Sequence, residues 1–170
     1  MNKKVLIVSA TSSTNLKLSK DLEIILQKFN VDVEIVNIEE FSLPLFVSSN
    51  YIEKKEKHFD KINNLTEKFI TSHGIVICAP EYNGSIPPII TNMIAWISVS
   101  TEDWRFAFSD KISLIATSSG GPGNKYIMAM KSQLEHLGSV VMPRSITASS
   151  SIKLDLNSAE KILNKFIKLL

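Results

Sequence analysis

Three short segments of this 170-residue chain gather side chains and backbone able to hold a ligand. The first, Ser9 to Asn15, carries five hydroxyl residues (Ser9, Thr11, Ser12, Ser13 and Thr14) and the amide of Asn15. Hydroxyl donors where a helix opens, beside free backbone N–H groups and the positive end of the macrodipole, suit a phosphate monoester. Capping the helix would need only one of them. The second segment, Pro80-Glu81-Tyr82-Asn83-Gly84-Ser85-Ile86-Pro87-Pro88, is stiffened by three prolines, and Gly84 allows a tight turn or the close approach of a ligand. Tyr82 offers a planar face and Asn83 offers donors and an acceptor, a pairing suited to a flat heteroaromatic ring. The plainer alternative is a rigid strand-to-helix connector with proline at the first helical position. The third segment, Ser118 to Asn124, has three glycines that can bring backbone N–H groups close to a ring carbonyl, or can form a simple turn.

Other chemistries are disfavoured by what the chain lacks. The triphosphate-binding Gly-x-x-x-x-Gly-Lys-Ser/Thr pattern is missing, and so is the dinucleotide fingerprint Gly-x-Gly-x-x-Gly. His58, His73 and His136 are dispersed without metal-ligand spacing, and the single Cys78 excludes an internal disulfide and a cysteine-rich metal site. No metal is expected. Cys78 lies in an apolar run and reads as an inert core thiol. Glu81 reads as structural, and no serine of the three segments has a histidine near it in sequence to form a nucleophile pair.

Charge and hydropathy narrow the class further. Nineteen basic residues face seventeen acids, a net charge of +2 with the basic residues scattered, so no nucleic-acid partner is expected. No apolar run approaches the ~20 residues of a bilayer span, and the stretch after Met1-Asn2-Lys3-Lys4 is too short for a signal-peptide core. With 44% hydrophobic and 21% charged residues, the expectation is a soluble, cytoplasmic protein forming one domain over residues 1–170.

The elements that must position these segments alternate between short apolar runs and amphipathic stretches of helical length, the rhythm of a parallel sheet with crossover helices. Val5–Val8 is a strand buried on both faces. A helix with Leu18, Leu22, Ile25, Leu26 and Phe29 follows, ended by Asn30. Val31–Val36 alternates apolar and acidic side chains, as a half-exposed edge strand would. Residues 38–50 look irregular. A helix is expected from about Glu53 to Ser72, presenting Phe59, Ile62, Leu65 and Phe69. Gly74–Ala79 is the third strand, and a helix with Ile90, Met93, Ile94 and Ile97 follows the proline-rich segment. Lys111–Thr117 is the fourth strand. Ile127, Met130, Leu134 and Leu137 mark another helix, closed by Gly138. Val140-Val141-Met142 begins the fifth strand, and a last helix runs from about Ser158 to Leu170. In such a sheet ligands bind at the carboxyl ends of the strands, where the three segments fall.

The run Ala79-Pro80-Glu81-Tyr82-Asn83-Gly84-Ser85-Ile86-Pro87, followed by Asn92 and Trp96, closely resembles the signature of the NADPH-dependent FMN reductase family. The resemblance extends from the first strand to about residue 145. It implies a flavodoxin-like α/β fold, a three-layer sandwich with a five-stranded parallel sheet in the order 2-1-3-4-5 and helices on both faces. It also implies FMN as cofactor, NADPH or NADH as reductant, and a homodimer or homotetramer. Ser12, Ser13, Thr14 and Asn15 match the family's phosphate loop, Pro80, Glu81, Tyr82, Asn83 and Gly84 the segment bordering the flavin ring, and Ser118, Ser119, Gly120 and Gly121 the third ring-contacting loop. Ser9 and Thr11 join the set as members of the first loop. That loop departs from the family in starting with Ser9-Ala10 and lacking arginine; Lys17 is its nearest cation.

The expected activity is two-electron transfer from a nicotinamide cofactor through flavin to a small acceptor, such as free flavin, a quinone or an azo compound. The cofactor carries the chemistry, so no catalytic side chain is expected. Trp96, Trp104, Phe106 and Phe108 suggest a subunit interface or a lid over the flavin. An electron carrier on the same fold is one alternative, although such carriers are acidic; a flavin-free binding or regulatory protein is another.

Overall fold

The computed structural model describes residues 2–170. Its strands are β1 (Lys4–Ser9), β2 (Asp32–Asn37), β3 (Gly74–Cys78), β4 (Ile112–Ser119), β5 (Val140–Val141) and β6 (Ile146–Ser149). The helices are α1 (Thr14–Gln27), α2 (Ile38–Phe41), α3 (Tyr51–Lys57), α4 (Phe59–Thr71), α5 (Pro88–Ser98), α6 (Asn124–His136) and α7 (Leu156–Leu169). The strands pair in parallel in the order β2-β1-β3-β4-β5, with β6 also on β4, so the expected flavodoxin-like order holds.

Why the central strands are apolar on both faces along their middles is visible in their alternation. Leu6, Val8, Ile75, Ile77 and Ile115 pack into one cluster with Leu65 and Phe69 of α4, Ile90 and Met93 of α5, and Met130 and Leu134 of α6. Their neighbours Val5, Ile7, Val76, Cys78, Leu114 and Ala116 point the other way, onto Leu18, Leu22 and Leu26 of α1 and Ile162, Leu163 and Phe166 of α7. Both faces are covered, and three layers result. The edge strand β2 runs from an exposed Asp32 to a buried Val36 and Asn37, so only its carboxyl end is core.

Four expectations need correction. The helix expected over Glu53–Ser72 is two, α3 and α4, broken at His58, whose φ of −116° and ψ of 22° are not helical. Phe59 falls off the apolar stripe and is exposed, and α3 buries no residue. The irregular stretch 38–50 contains α2, opened by the Asn37 side chain, which accepts a hydrogen bond from Glu39 N. The fifth strand is split: β5 pairs with Ile112 and Ser113, and β6 pairs with Ala116 to Ser119. Pro143, lacking an N–H, sits in the interruption and cannot donate to the ladder.

The aromatic segment divides as well. Trp96 and Phe108 are fully buried, while Trp104 and Phe106 are exposed. Trp96 Nε1 donates to the Pro44 carbonyl at 2.7 Å, and Asn92 holds the same segment through Pro44 O and Phe46 N. Both signature residues therefore anchor the β2–α3 connection. Gly138, at φ 86°, closes α6 as its sequence position implies. Among the described residues, no helix is long and apolar enough to cross a membrane.

Candidate active site

The three segments converge at the carboxyl ends of β1, β3 and β4, around a cavity of about 320 Å³. Thr11, Ser13, Thr14 and Asn15 line it from the first segment, Pro80, Glu81 and Tyr82 from the second, and Ser118, Ser119 and Gly120 from the third. Ten of the fifteen expected residues thus share one cleft.

The first segment is held on both flanks. Asn15 is fully buried, and its amide spans to β4: Nδ2 donates to the Ser118 carbonyl at 2.9 Å and Oδ1 accepts from Ser118 N at 2.9 Å. On the other flank Ser12 N donates to Glu39 Oε2 at 2.7 Å, and Asn37 Nδ2 donates to Ser12 Oγ at 2.8 Å. Between these ties α1 begins without a side-chain cap and without an acid in its first turn. Its leading N–H groups lack intrahelical acceptors, and the Ser13 and Thr14 hydroxyls stand beside them; this donor set fits an anion.

In the second segment a hairpin forms between Tyr82 and Ser85, each donating its N–H to the other's carbonyl at 3.2 and 3.0 Å. Asn83 at φ 51° and Gly84 at φ 70° occupy the left-handed region that a two-residue turn of this kind requires. Tyr82 is left half-exposed at the cleft edge. Glu81 works as a bracket. Its N–H donates to Ser119 Oγ at 2.7 Å, and its Oε2 accepts from Lys125 N at 2.9 Å and Tyr126 N at 3.1 Å. The carboxylate therefore caps α6, joining the second and third segments, in keeping with a structural reading of Glu81.

The third segment leaves room. A Cβ added at Gly120 or Gly121 would meet no heavy atom within 4 Å, so its backbone stands open to a ligand. A donor set of amides and hydroxyls at one end, with Tyr82 and open glycine backbone at the other, fits a phosphate-bearing planar cofactor.

Five expected residues lie outside the cavity lining. The Ser9 hydroxyl is buried and donates to Thr11 O at 2.8 Å. Ser12 faces β2 and α2 through the bonds above. Asn83 and Gly84 form the hairpin tip, and Gly121 lies beyond the last lining glycine. Two lining residues were missed: Ser149 and Ser150, at the end of β6. Ser150 Oγ donates to Gly120 O at 3.0 Å and its N–H to Ser119 O at 3.2 Å, so this fourth segment buttresses the third. The run Ser149-Ser150-Ser151 at the end of the last strand was the available signal.

Trp96, Trp104, Phe106 and Phe108 do not line the cavity, so they form no lid over it within this chain. Nor does Cys78, fully buried in β3, where loss of water pushes its thiol up to about 12 while the Ser19 hydroxyl opposes the shift. Among the described residues no group of three His, Cys, Asp or Glu side chains could hold a metal ion.

Comparison with known proteins places this cleft in context. Residues 3–153 match the family model described as NADPH-dependent FMN reductase. A subunit of an NADH:(hydroxy)cinnamate reductase, CrdA of Vibrio ruber, is 26% identical over 128 residues, which cover 73% of this chain and 59% of that protein. The chain thus spans less than two-thirds of that curated relative. The flavoenzyme FerB, an NAD(P)H:(acceptor) oxidoreductase from Paracoccus denitrificans, superposes with a TM-score of 0.72 at 20% identity, covering 98% of this chain and 94% of that one. A flavodoxin from the domain Archaea superposes with a TM-score of 0.64 at 16% identity, covering 98% of each chain. At such identities the two structures speak for the shared fold.

Proposed function

The chain belongs to the NADPH-dependent FMN reductase family, and on that ground we propose that its cleft holds FMN and passes two electrons from NADPH or NADH to a small acceptor. The observation that carries this reading is the convergence of ten expected residues on one cavity at the carboxyl ends of the parallel strands. When bound, FMN supplies the redox chemistry that the side chains lack, taking a hydride and giving up two electrons. The protein's part is to bind and orient. The uncapped start of α1, with Thr11, Ser13 and Thr14, would hold the phosphate. Pro80, Glu81 and Tyr82 on one side and Ser118 to Gly120 on the other would border the ring. Asn15 and Glu81, each bonded across two segments, keep these walls in register.

The cavity suits a small acceptor such as a free flavin, a quinone or an azo compound, sharing the cleft with the reductant in turn. The domain unit is the whole chain, working in the cytoplasm as a homodimer or homotetramer, with exposed Trp104 and Phe106 as the aromatic contacts. The direct test is an absorbance spectrum of the purified protein, followed by titration of the flavin-stripped protein with FMN and by NADPH and NADH oxidation with FMN and a quinone. Flavin binding with turnover is expected. Binding without oxidation of either dinucleotide would favour an electron carrier, and no binding at tens of micromolar would sink the flavoenzyme reading.

A further inference from the structure

Thr117 precedes Ser119 by two positions on β4, so both side chains leave the strand on the same face. Ser119 lines the cleft, whereas Thr117 is fully buried and lines no part of it. Their hydroxyl oxygens lie 3.0 Å apart. Gly123 walls the Thr117 side chain in: a Cβ there would come within 2.8 Å of Thr117 Cγ2 and 3.1 Å of its Oγ1. A β-branched side chain packed so closely has little freedom to turn its oxygen elsewhere.

Which of the two hydroxyls donates follows from their protons and lone pairs. A hydroxyl has one proton to give and two sites at which to accept. Ser119 Oγ already accepts from Glu81 N at 2.7 Å, so one of its sites is filled. The Thr117 hydroxyl bonds to no group but Ser119 Oγ among the described residues. Were Ser119 the donor, the Thr117 proton would be buried without an acceptor, an arrangement that protein interiors penalise and rarely show. Thr117 therefore donates. Both acceptor sites of Ser119 are then filled, and its own proton is left to point into the cleft. Resting on the flavin reading, we propose that Thr117 is a positioning residue that makes Ser119 an obligate hydrogen-bond donor to the cofactor's ring. A donor with no acceptor site left cannot reverse its role when the ring gains electrons. It therefore favours the electron-rich reduced ring over the oxidised one, and so raises the reduction potential of bound flavin. The Thr117 bond strengthens the effect, because a hydroxyl that accepts a bond donates more strongly.

The test compares Ser119→Ala, Thr117→Val and Thr117→Ser with the parent protein. Dissociation constants are read without oxygen for oxidised FMN and for dithionite-reduced FMN, with the reduction potential of the bound flavin as a cross-check. Ser119→Ala is expected to weaken reduced FMN about three- to tenfold more than oxidised FMN. Thr117→Val keeps the branched shape but removes the hydroxyl, and should move the same ratio in the same direction by about two- to threefold. Thr117→Ser keeps the hydroxyl and should hold the parent ratio. Should Thr117→Val fail to fold, Thr117→Ala carries the same comparison. If Ser119→Ala weakens both forms equally, Ser119 only supports Glu81 and the proposal is overturned. It is overturned as well if Thr117→Val keeps the parent ratio, or if Thr117→Ser shifts it as far as Thr117→Val does. In each of those outcomes the parent still binds FMN, and the flavin reading stands. If the parent binds neither form of FMN, that reading fails and this proposal with it.

Discussion

Asn15 and Glu81 each hold two of the cleft's walls together, which is a stronger demand than touching a ligand. Asn15 is fully buried and satisfies both the N–H and the carbonyl of Ser118. Asn15→Ala would leave those two backbone groups without partners, at about 1–2 kcal/mol each because Ser118 is half-buried at the cleft. The expected outcome is a loss of roughly 2–4 kcal/mol in urea unfolding, together with weaker flavin binding because the start of α1 loses its tie to β4. A loss under about 0.5 kcal/mol would show that the two bonds contribute no net stability. The sequence displayed Asn15 as one polar residue among several in a hydroxyl-rich run. Its type and position were legible, but its bond to Ser118, 103 residues away, was not, because a side chain's partner depends on packing that no local pattern encodes. The same holds for Ser12, whose N–H is committed to Glu39.

At the scale of elements, sequence patterns succeeded where burial was uniform and failed where the chain changes direction. β1, β3 and β4 were readable because both faces are covered and each carries an almost unbroken apolar run. The break at His58 had no glycine or proline to mark it, and the gap between β5 and β6 was marked only by Pro143. The edge strand β2 is pinned differently, by Glu34, which lies 3.1 Å from Lys4 Nζ and also pairs with Lys68. Partial burial works to raise its carboxyl, but the hydrogen bonds and charges of Lys68 and Lys4 outweigh it and hold the group below its ordinary 4.5. A carboxylate whose folded value is lowered adds stability above its unfolded value, and that stability is lost as pH falls through the folded one. Glu34→Gln should therefore be less stable than the parent at pH 7, with the gap closing below about pH 4.5. The triad is about one-third exposed, so the gap is at most about 1 kcal/mol. A gap that widens on acidification would contradict the pairing.

For the whole molecule, a superposed flavodoxin and a superposed oxidoreductase show that this fold alone does not choose between carrying electrons and catalysing their transfer. The choice rests on the matched family and on the cleft. What the fold does decide is how the cleft survives. It is built from loops attached to one sheet, and that sheet is the shared wall of two apolar clusters. Alternate residues of β1, β3 and β4 feed opposite clusters, so neither layer of helices can detach without exposing the other's strands. The 170 residues are therefore expected to unfold as one cooperative unit. Leu22→Ala on the α1 face and Met130→Ala on the α6 face, both fully buried, should each cost about 2–5 kcal/mol. In each variant, far-ultraviolet circular dichroism and Trp96 fluorescence, read in a Trp104→Phe background, should report one coincident midpoint. Trp96 belongs to the α5 face, so a Leu22→Ala transition that leaves its fluorescence behind would mean that the two layers melt separately. In that case the cleft would open before the sheet does.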